Sequence, residues 1–116
     1  MHELVIATNI VRIASRTAGE RGAGRVTEVV VDIGRLSGVV KEALEFAWES
    51  ARKGTMLEPA RLVINHLPGK AQCSSCGYVY PVDHLFIECP VCRSFNPVII
   101  QGRELSVKSI LIEEEE

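Results

Sequence analysis

The chain has 116 residues, with 13 Lys or Arg against 15 Asp or Glu and a formal net charge of −2. That balance gives no clustered positive field for a nucleic-acid backbone, and three Phe, two Tyr and one Trp are too few for a base-stacking platform. A hydrophobic content of 47% can form a core in one compact domain, or in a small domain carrying a smaller one, and no apolar run approaches the length of a membrane span.

Residues 3–18 read as a helix. Leu4, Ala7, Val11, Ala14 and Ala18 recur at 3–4 spacing, and Ile6, Ile10 and Ile13 widen the apolar face. A helix this apolar calls for cover on more than one side, so it is expected against a sheet. Gly19, Gly22 and Gly24 end it. Residues 25–33 read as a strand, with Thr27, Val29, Val31 and Ile33 on one face and Val26, Glu28, Val30 and Asp32 on the other. Gly34 breaks it, and Ser37 is a plausible N-cap for a second helix over 39–53.

In that helix Val40, Ala43, Leu44, Ala47 and Ala51 form the apolar stripe, with Phe46 beside it. Trp48 falls among Lys41, Glu45 and Arg52, which reads as a rim position or a partner anchor. Glu49 and Lys53 make a favourably ordered i,i+4 pair, and Gly54 closes the helix. Residues 61–66 read as a strand, Pro68-Gly69 as a turn, and 104–112 as a last strand after Gln101-Gly102. The four Glu at 113–116 read as a solvated, frayed end.

Between those last strands stand Cys73-Ser-Ser-Cys76 and Cys89-Pro-Val-Cys92, separated by twelve residues. Two residues between cysteines let one tight turn aim both sulfurs at a point. Two such turns supply four thiolates at tetrahedral corners, a set that suits Zn²⁺ at about 2.3 Å. Gly77 fits a turn needing positive φ, and Pro90 stiffens the second turn. Residues 1–18 lack the basic start and cleavage site of a secretory signal, so reduced thiols and a metal are expected rather than disulfides. Sulfur ligation also admits iron, as in an electron carrier. With cysteine at all four positions no ligand site is left open for catalysis, so the expected role is structural. The module, 70–97, is too small to fold on apolar burial alone.

The fold class expected is α+β. Two helices pack on a three-stranded sheet in the order α-β-α-β-ribbon-β. One domain is formed by 1–69 and 98–116, and the four-Cys ribbon at 70–97 is inserted in it. One sheet face is covered by the helices and the other is expected half-open.

The chain opens Met1-His2-Glu3. The Met1 α-amine, the His2 amide nitrogen and the His2 imidazole can form fused chelate rings. Glu3 adds a carboxylate or a further backbone nitrogen. Such nitrogen-rich donor sets suit Ni(II) or Cu(II), and binding there displaces protons, so it weakens in acid. His84 lies between the cysteine pairs and reads as an ordinary exposed loop His, with a pH sensor or a second metal site as the alternative; His66 ends a strand and is assigned no role. There is no Gly-x-Ser-x-Gly, His-Glu-x-x-His or phosphate-cradling Gly loop, which disfavours a hydrolase. A zinc-ribbon module that binds a protein or a nucleic acid, with no nickel transfer, is the alternative function.

Met-His-Glu at the start, Val-Val-Val-Asp-Ile-Gly at 29–34, Leu-Ser-Gly-Val at 36–39, the two Cys-x-x-Cys pairs and a closing strand together resemble the HypA/HybF hydrogenase nickel-incorporation proteins. The resemblance spans nearly the whole chain. It implies a small cytoplasmic metallochaperone, not an enzyme, that delivers Ni²⁺ through its N-terminal His and holds Zn²⁺ at four cysteines. By that resemblance His2, with Met1 and Glu3, are the nickel residues, and Cys73, Cys76, Cys89 and Cys92 the zinc ligands. The partners implied are a nickel-loading GTPase, the large-subunit precursor of a nickel–iron hydrogenase and, in some organisms, urease accessory proteins, with no nucleic acid and no membrane. Some members carry an Asp after the Leu-Ser-Gly turn; this chain has Val39-Val40-Lys41 there, and Val5 follows Leu4 in the opening.

Overall fold

The computed structural model describes residues 2–114. Helix α1 (Glu3–Glu20) is followed by β1 (Ala23–Gly34), α2 (Lys41–Ala51), β2 (Arg61–Leu67), β3 (Gly69–Cys73), β4 (Val79–Val82), β5 (Pro97–Gln101) and β6 (Leu105–Glu114). Two three-stranded sheets result, ordered β2-β1-β6 and β4-β3-β5. The expected α+β order is therefore present, with the cysteine module between β2 and β6 and carrying a sheet of its own.

Contacts divide the chain into two compact units. The first holds the chain up to Val31, Val39–Asn65 and the chain from Ser106. The second holds Asp32–Gly38 and His66–Leu105, wider than the 70–97 expected for the ribbon. The backbone explains the difference. Gly34 N–H donates to Glu104 O at 2.8 Å, Arg35 N–H to Leu67 O at 2.9 Å and Leu36 N–H to Gly102 O at 2.7 Å. Leu36 then packs against the ribbon's buried cluster. Gly34 is needed there: a Cβ would stand 2.0 Å from the Gly102 carbonyl oxygen.

In the first unit α1 buries Ala7, Ile10, Val11, Ala14 and Ala18. Its small residues allow close approach to α2, against which it packs. Leu4 and Ile13, expected on the buried face, lie exposed, and Leu4 is 56% accessible. The last turn is closed by Gly22 at φ 71. In β1 the buried parity changes between Val26 and the series Val29, Val31 and Ile33. Val26 N–H donates to Met56 O at 2.9 Å, so the segment after α2 covers the start of this strand.

Helix α2 departs most from the sequence pattern. It begins at Lys41 with Val40 as extended N-cap residue, and no side chain of its own caps it. Ser37 is not the cap; Gly38 at φ 81 keeps the chain out of helical geometry after it. The helix ends at Ala51, so Lys53 lies beyond it and Glu49 pairs instead with Arg52 at 2.7 Å. Trp48, expected at a rim, is 3% accessible, and its Nε1 donates to Ala60 O at 3.0 Å. Phe46, expected beside the core, is 82% accessible.

Both helices abut the β2-β1-β6 sheet. Thr17 and Arg21 of α1 share a cavity with Ile110 and Ile112 of β6, and Glu45, Trp48 and Glu49 of α2 share one with Arg61 and Leu62 of β2. Leu111 of β6 stays exposed. Glu113, expected in a frayed end, is in β6, and Arg25 grips it through Nε at 3.0 Å and Nη2 at 2.7 Å. Both side chains are half-exposed, so the pair fixes geometry more than it adds stability. Glu115 and Glu116 lie outside the described residues.

In the second unit β3 pairs antiparallel with both neighbours, with a bulge between Lys70 and Ala71 on the β5 side. Pro68-Gly69 is not a tight turn: Gly69 already starts β3, where a Cβ would stand 2.1 Å from Val82 O. Ala71, Cys73, Tyr80, Val82 and Cys89 form the buried cluster, joined by Leu36, Ile87 and Ile99.

Candidate metal centres

The two Cys-x-x-Cys turns have the same backbone design. In the first, Gly77 N–H donates to Cys73 O at 2.7 Å and Cys73 N–H to Tyr78 O at 2.9 Å. In the second, Arg93 N–H donates to Cys89 O at 2.9 Å and Cys89 N–H to Ser94 O at 3.0 Å. The residue after each pair is left-handed, Gly77 at φ 82 and Arg93 at φ 61. Glycine suits that conformation without steric cost; Arg93 holds it with a Cβ.

These turns bring all four sulfurs within 4.8 Å of one another. Cys73 faces Cys92 at 3.5 Å and Cys76 faces Cys89 at 3.6 Å. A regular tetrahedron with metal–sulfur bonds of about 2.3 Å has edges of about 3.8 Å, so the four Sγ atoms fit a single tetrahedral cation. The cysteines are free, Cys73 and Cys89 buried and Cys76 and Cys92 exposed.

Ser94, not singled out in the sequence reading, touches this group. Its hydroxyl lies 3.1 Å from Cys73 Sγ and 3.1 Å from Cys92 Sγ. The Ser94 hydroxyl, with the Cys76 and Ser75 amides, outweighs burial and lowers the Cys73 thiol to about 6. The Ser94 hydroxyl and amide likewise lower Cys92. The Tyr78 amide draws Cys76 down, but desolvation and its bonds to Cys89, Cys92 and Cys73 outweigh it and push Cys76 up to about 12. Four thiolates this close repel one another, and one keeps its proton unless a cation sits among them.

At the other end of the chain His2 is the exposed N-cap residue of α1, and its carbonyl accepts the first helical bond from Ile6 N–H at 3.1 Å. The amides of the first turn sit at the positive end of the helix. The Glu3 carboxylate, read as a donor for nickel, accepts from Val40 N–H through Oε2 at 3.3 Å. It therefore sits at the start of α2, whose N-cap residue Val40 supplies no side-chain cap. The Val40 amide lowers the Glu3 pKa below its ordinary 4.5. A carboxylate lowered in this way keeps its contact above that value and loses it as pH falls through the lowered one. The Val40 amide resonance is accordingly expected to titrate with a midpoint below 4.5; a midpoint at or above it would remove the contact. Met1 lies outside the described residues.

The chain matches the family described as "Hydrogenase/urease nickel incorporation, metallochaperone, hypA" over residues 1–112. The chain belongs to the HypA family. Curated relatives include the hydrogenase maturation factor HypA of Parabacteroides distasonis, 47% identical over 99% of this chain and 100% of that one. The HypA of Geobacter metallireducens is 43% identical over 97% and 100%. The solution structure of the Ni metallochaperone HypA from Helicobacter pylori superposes with a TM-score of 0.73 at 27% identity, covering 99% and 100% of the two chains. A HypA protein is a metallochaperone and maturation factor, not a catalyst, which accords with a sulfur set that leaves no position for substrate.

Of the remaining histidines, His84 is exposed, accepts from Phe86 N–H at Nδ1 and faces Asp83 Oδ1 at 3.7 Å from Nε2. It is not one of the four-sulfur group, and neither is His66, which is exposed on β2. Among the described residues no helix is long and apolar enough to cross a membrane.

Proposed function

We propose that this HypA protein captures Ni²⁺ at Met1, His2 and Glu3 and delivers it for maturation of a nickel–iron hydrogenase, with Zn²⁺ held at Cys73, Cys76, Cys89 and Cys92. The observation that carries the nickel reading is His2 standing exposed at the first cap of α1, followed by a residue whose carboxylate is tied to α2. An imidazole and the backbone nitrogens of a helix start then lie within one chelate ring of each other. The Glu3 carboxylate positions that start, and Glu3 contributes its backbone nitrogen. Zinc is favoured at the cysteines because four sulfurs in a tetrahedral set suit a borderline-soft ion without geometric demands of its own. Zinc makes the ribbon a fixed unit, while the nickel is cargo and leaves.

Transfer follows from exposure and protons. An N-terminal chelate at the surface can pass its ligands one at a time to an acceptor. The acceptors proposed are the nickel-loading GTPase and the hydrogenase large-subunit precursor, with urease accessory proteins where a urease is present. The compartment proposed is the cytoplasm, where thiols are kept reduced for a metal. Because metal replaces protons on the donors, capture weakens as pH falls.

The test is a nickel titration by calorimetry on zinc-loaded protein with its native start, beside His2→Ala and a form with residues added before Met1. Native protein is expected to bind one nickel at about micromolar Kd or tighter, and both variants to weaken it about tenfold or more. Glu3→Ala, which keeps the amide nitrogen, is expected to lose less than His2→Ala. Equal binding by native protein, His2→Ala and the extended form would move nickel elsewhere.

A further inference from the structure

The two cysteine turns match in backbone but not in side chains. Tyr78 occupies the place in the first turn that Ser94 occupies in the second. The Tyr78 ring turns away and stacks on Tyr80, with centroids 6.5 Å apart and planes 9° off parallel. The Ser94 hydroxyl turns inward and stands at the same 3.1 Å from a sulfur of each turn, Cys73 of the first and Cys92 of the second. These are the two sulfurs that face each other at 3.5 Å. Ser94 is otherwise committed, its carbonyl to Cys89 N–H. A hydroxyl has one proton to donate, so when both sulfurs are thiolates a single O–H is shared between them.

We propose that Ser94 is a positioning residue for the metal centre, joining the two turns through one shared hydroxyl and lowering the nucleophilicity of Cys73 and Cys92 while they hold the metal. This rests on the reading of the four cysteines as a zinc site. A hydrogen bond to a metal thiolate draws electron density off the sulfur lone pair, and partners outside the ligand shell typically change metal affinity by about tenfold or more. Two ligands, Cys76 and Cys92, are exposed to an electrophile, and of these Ser94 touches Cys92. In alkylation by iodoacetamide the sulfur lone pair forms the S–C bond, the C–I pair leaves as iodide, and the thioether no longer holds zinc as a thiolate does. The hydroxyl opposes that step by holding the lone pair.

The experiment uses the full chain in wild-type form and as Ser94→Ala and Ser94→Thr. Zinc content is measured first, then zinc release under iodoacetamide with a zinc-reporting dye, then the sulfur-to-metal charge-transfer band of the Co²⁺-substituted proteins. Ser94→Ala is expected to release zinc roughly threefold faster or more, and its band to move to lower energy. Ser94→Thr, which keeps the hydroxyl, is expected to behave as wild type on both counts. Zinc-loaded Ser94→Ala with the wild-type rate and an unmoved band would overturn the proposal, as would Ser94→Thr matching Ser94→Ala. Loss of zinc by Ser94→Ala but not by Ser94→Thr would support it. Wild-type protein without zinc would instead overturn the zinc reading, and this proposal with it.

Discussion

Stripping the four-cysteine site with a strong chelator, or replacing Cys89 by Ser, is expected to unfold the unit made of Asp32–Gly38 and His66–Leu105 while Trp48 stays buried in the other. The ribbon's buried cluster has five members, and two of them, Cys73 and Cys89, are themselves sulfur ligands. What remains is Ala71, Tyr80 and Val82, with Leu36, Ile87 and Ile99 packed beside them. Burying a large apolar side chain contributes about 1.5–3 kcal/mol. The unit has fewer than about 50 residues, a size at which so small a cluster does not hold a fold without a metal or another staple. A structural zinc supplies about 10–16 kcal/mol, because the site does not exist in the unfolded chain.

The single Trp of the chain makes the two units separable in one experiment. Trp48 emission is expected to stay that of a buried indole after chelation, while amide exchange at Ala71 and Tyr80, which pair across β3 and β4, speeds up to the unprotected rate. Protection retained at those amides without metal would mean that the ribbon stands on its packing. Emission shifting together with the loss of protection would mean that the chain unfolds as one.

Why some of this was legible in the sequence and some was not follows from distance along the chain. The cysteines announce a metal because each pair is a local turn, and the two turns share one backbone design. The α-β-α-β-ribbon-β order is likewise built from local periods. Ser94 was missed because its hydroxyl matters only once Cys73, on another turn, comes within 3.1 Å; the available signal was a Ser two places after a ligand. The start of α2 was misplaced for the same reason. Ser37 has the chemistry of a cap, but the carboxylate at that helix start comes from Glu3, 37 residues earlier.

Trp48→Ala is expected to cost the first unit about 3–5 kcal/mol, the second large effect, and Phe46→Ala less than about 0.5 kcal/mol. A helical wheel gives the opposite ranking, because Phe46 neighbours the apolar stripe and Trp48 sits among Lys41, Glu45 and Arg52. The wheel assumes that one sheet decides which face is buried. Here the segment from Arg52 to Ala60 folds back over the helix, buries Leu57 and Ala60, and covers the indole. Arg52 takes part through its guanidinium, which donates to Glu58 O and pairs with Glu49. The indole N–H meets the Ala60 carbonyl at 3.0 Å, so the polar atom of a buried Trp is satisfied. Trp48→Phe separates packing from hydrogen bonding. It keeps most of the ring volume, leaves the Ala60 carbonyl without that donor, and is expected to cost about 1–3 kcal/mol. Urea unfolding followed by circular dichroism, with zinc kept in place, ranks the three variants. If Trp48→Ala and Phe46→Ala unfold at the same midpoint, the indole is not the centre of this unit's core and the 52–60 segment does not close over it.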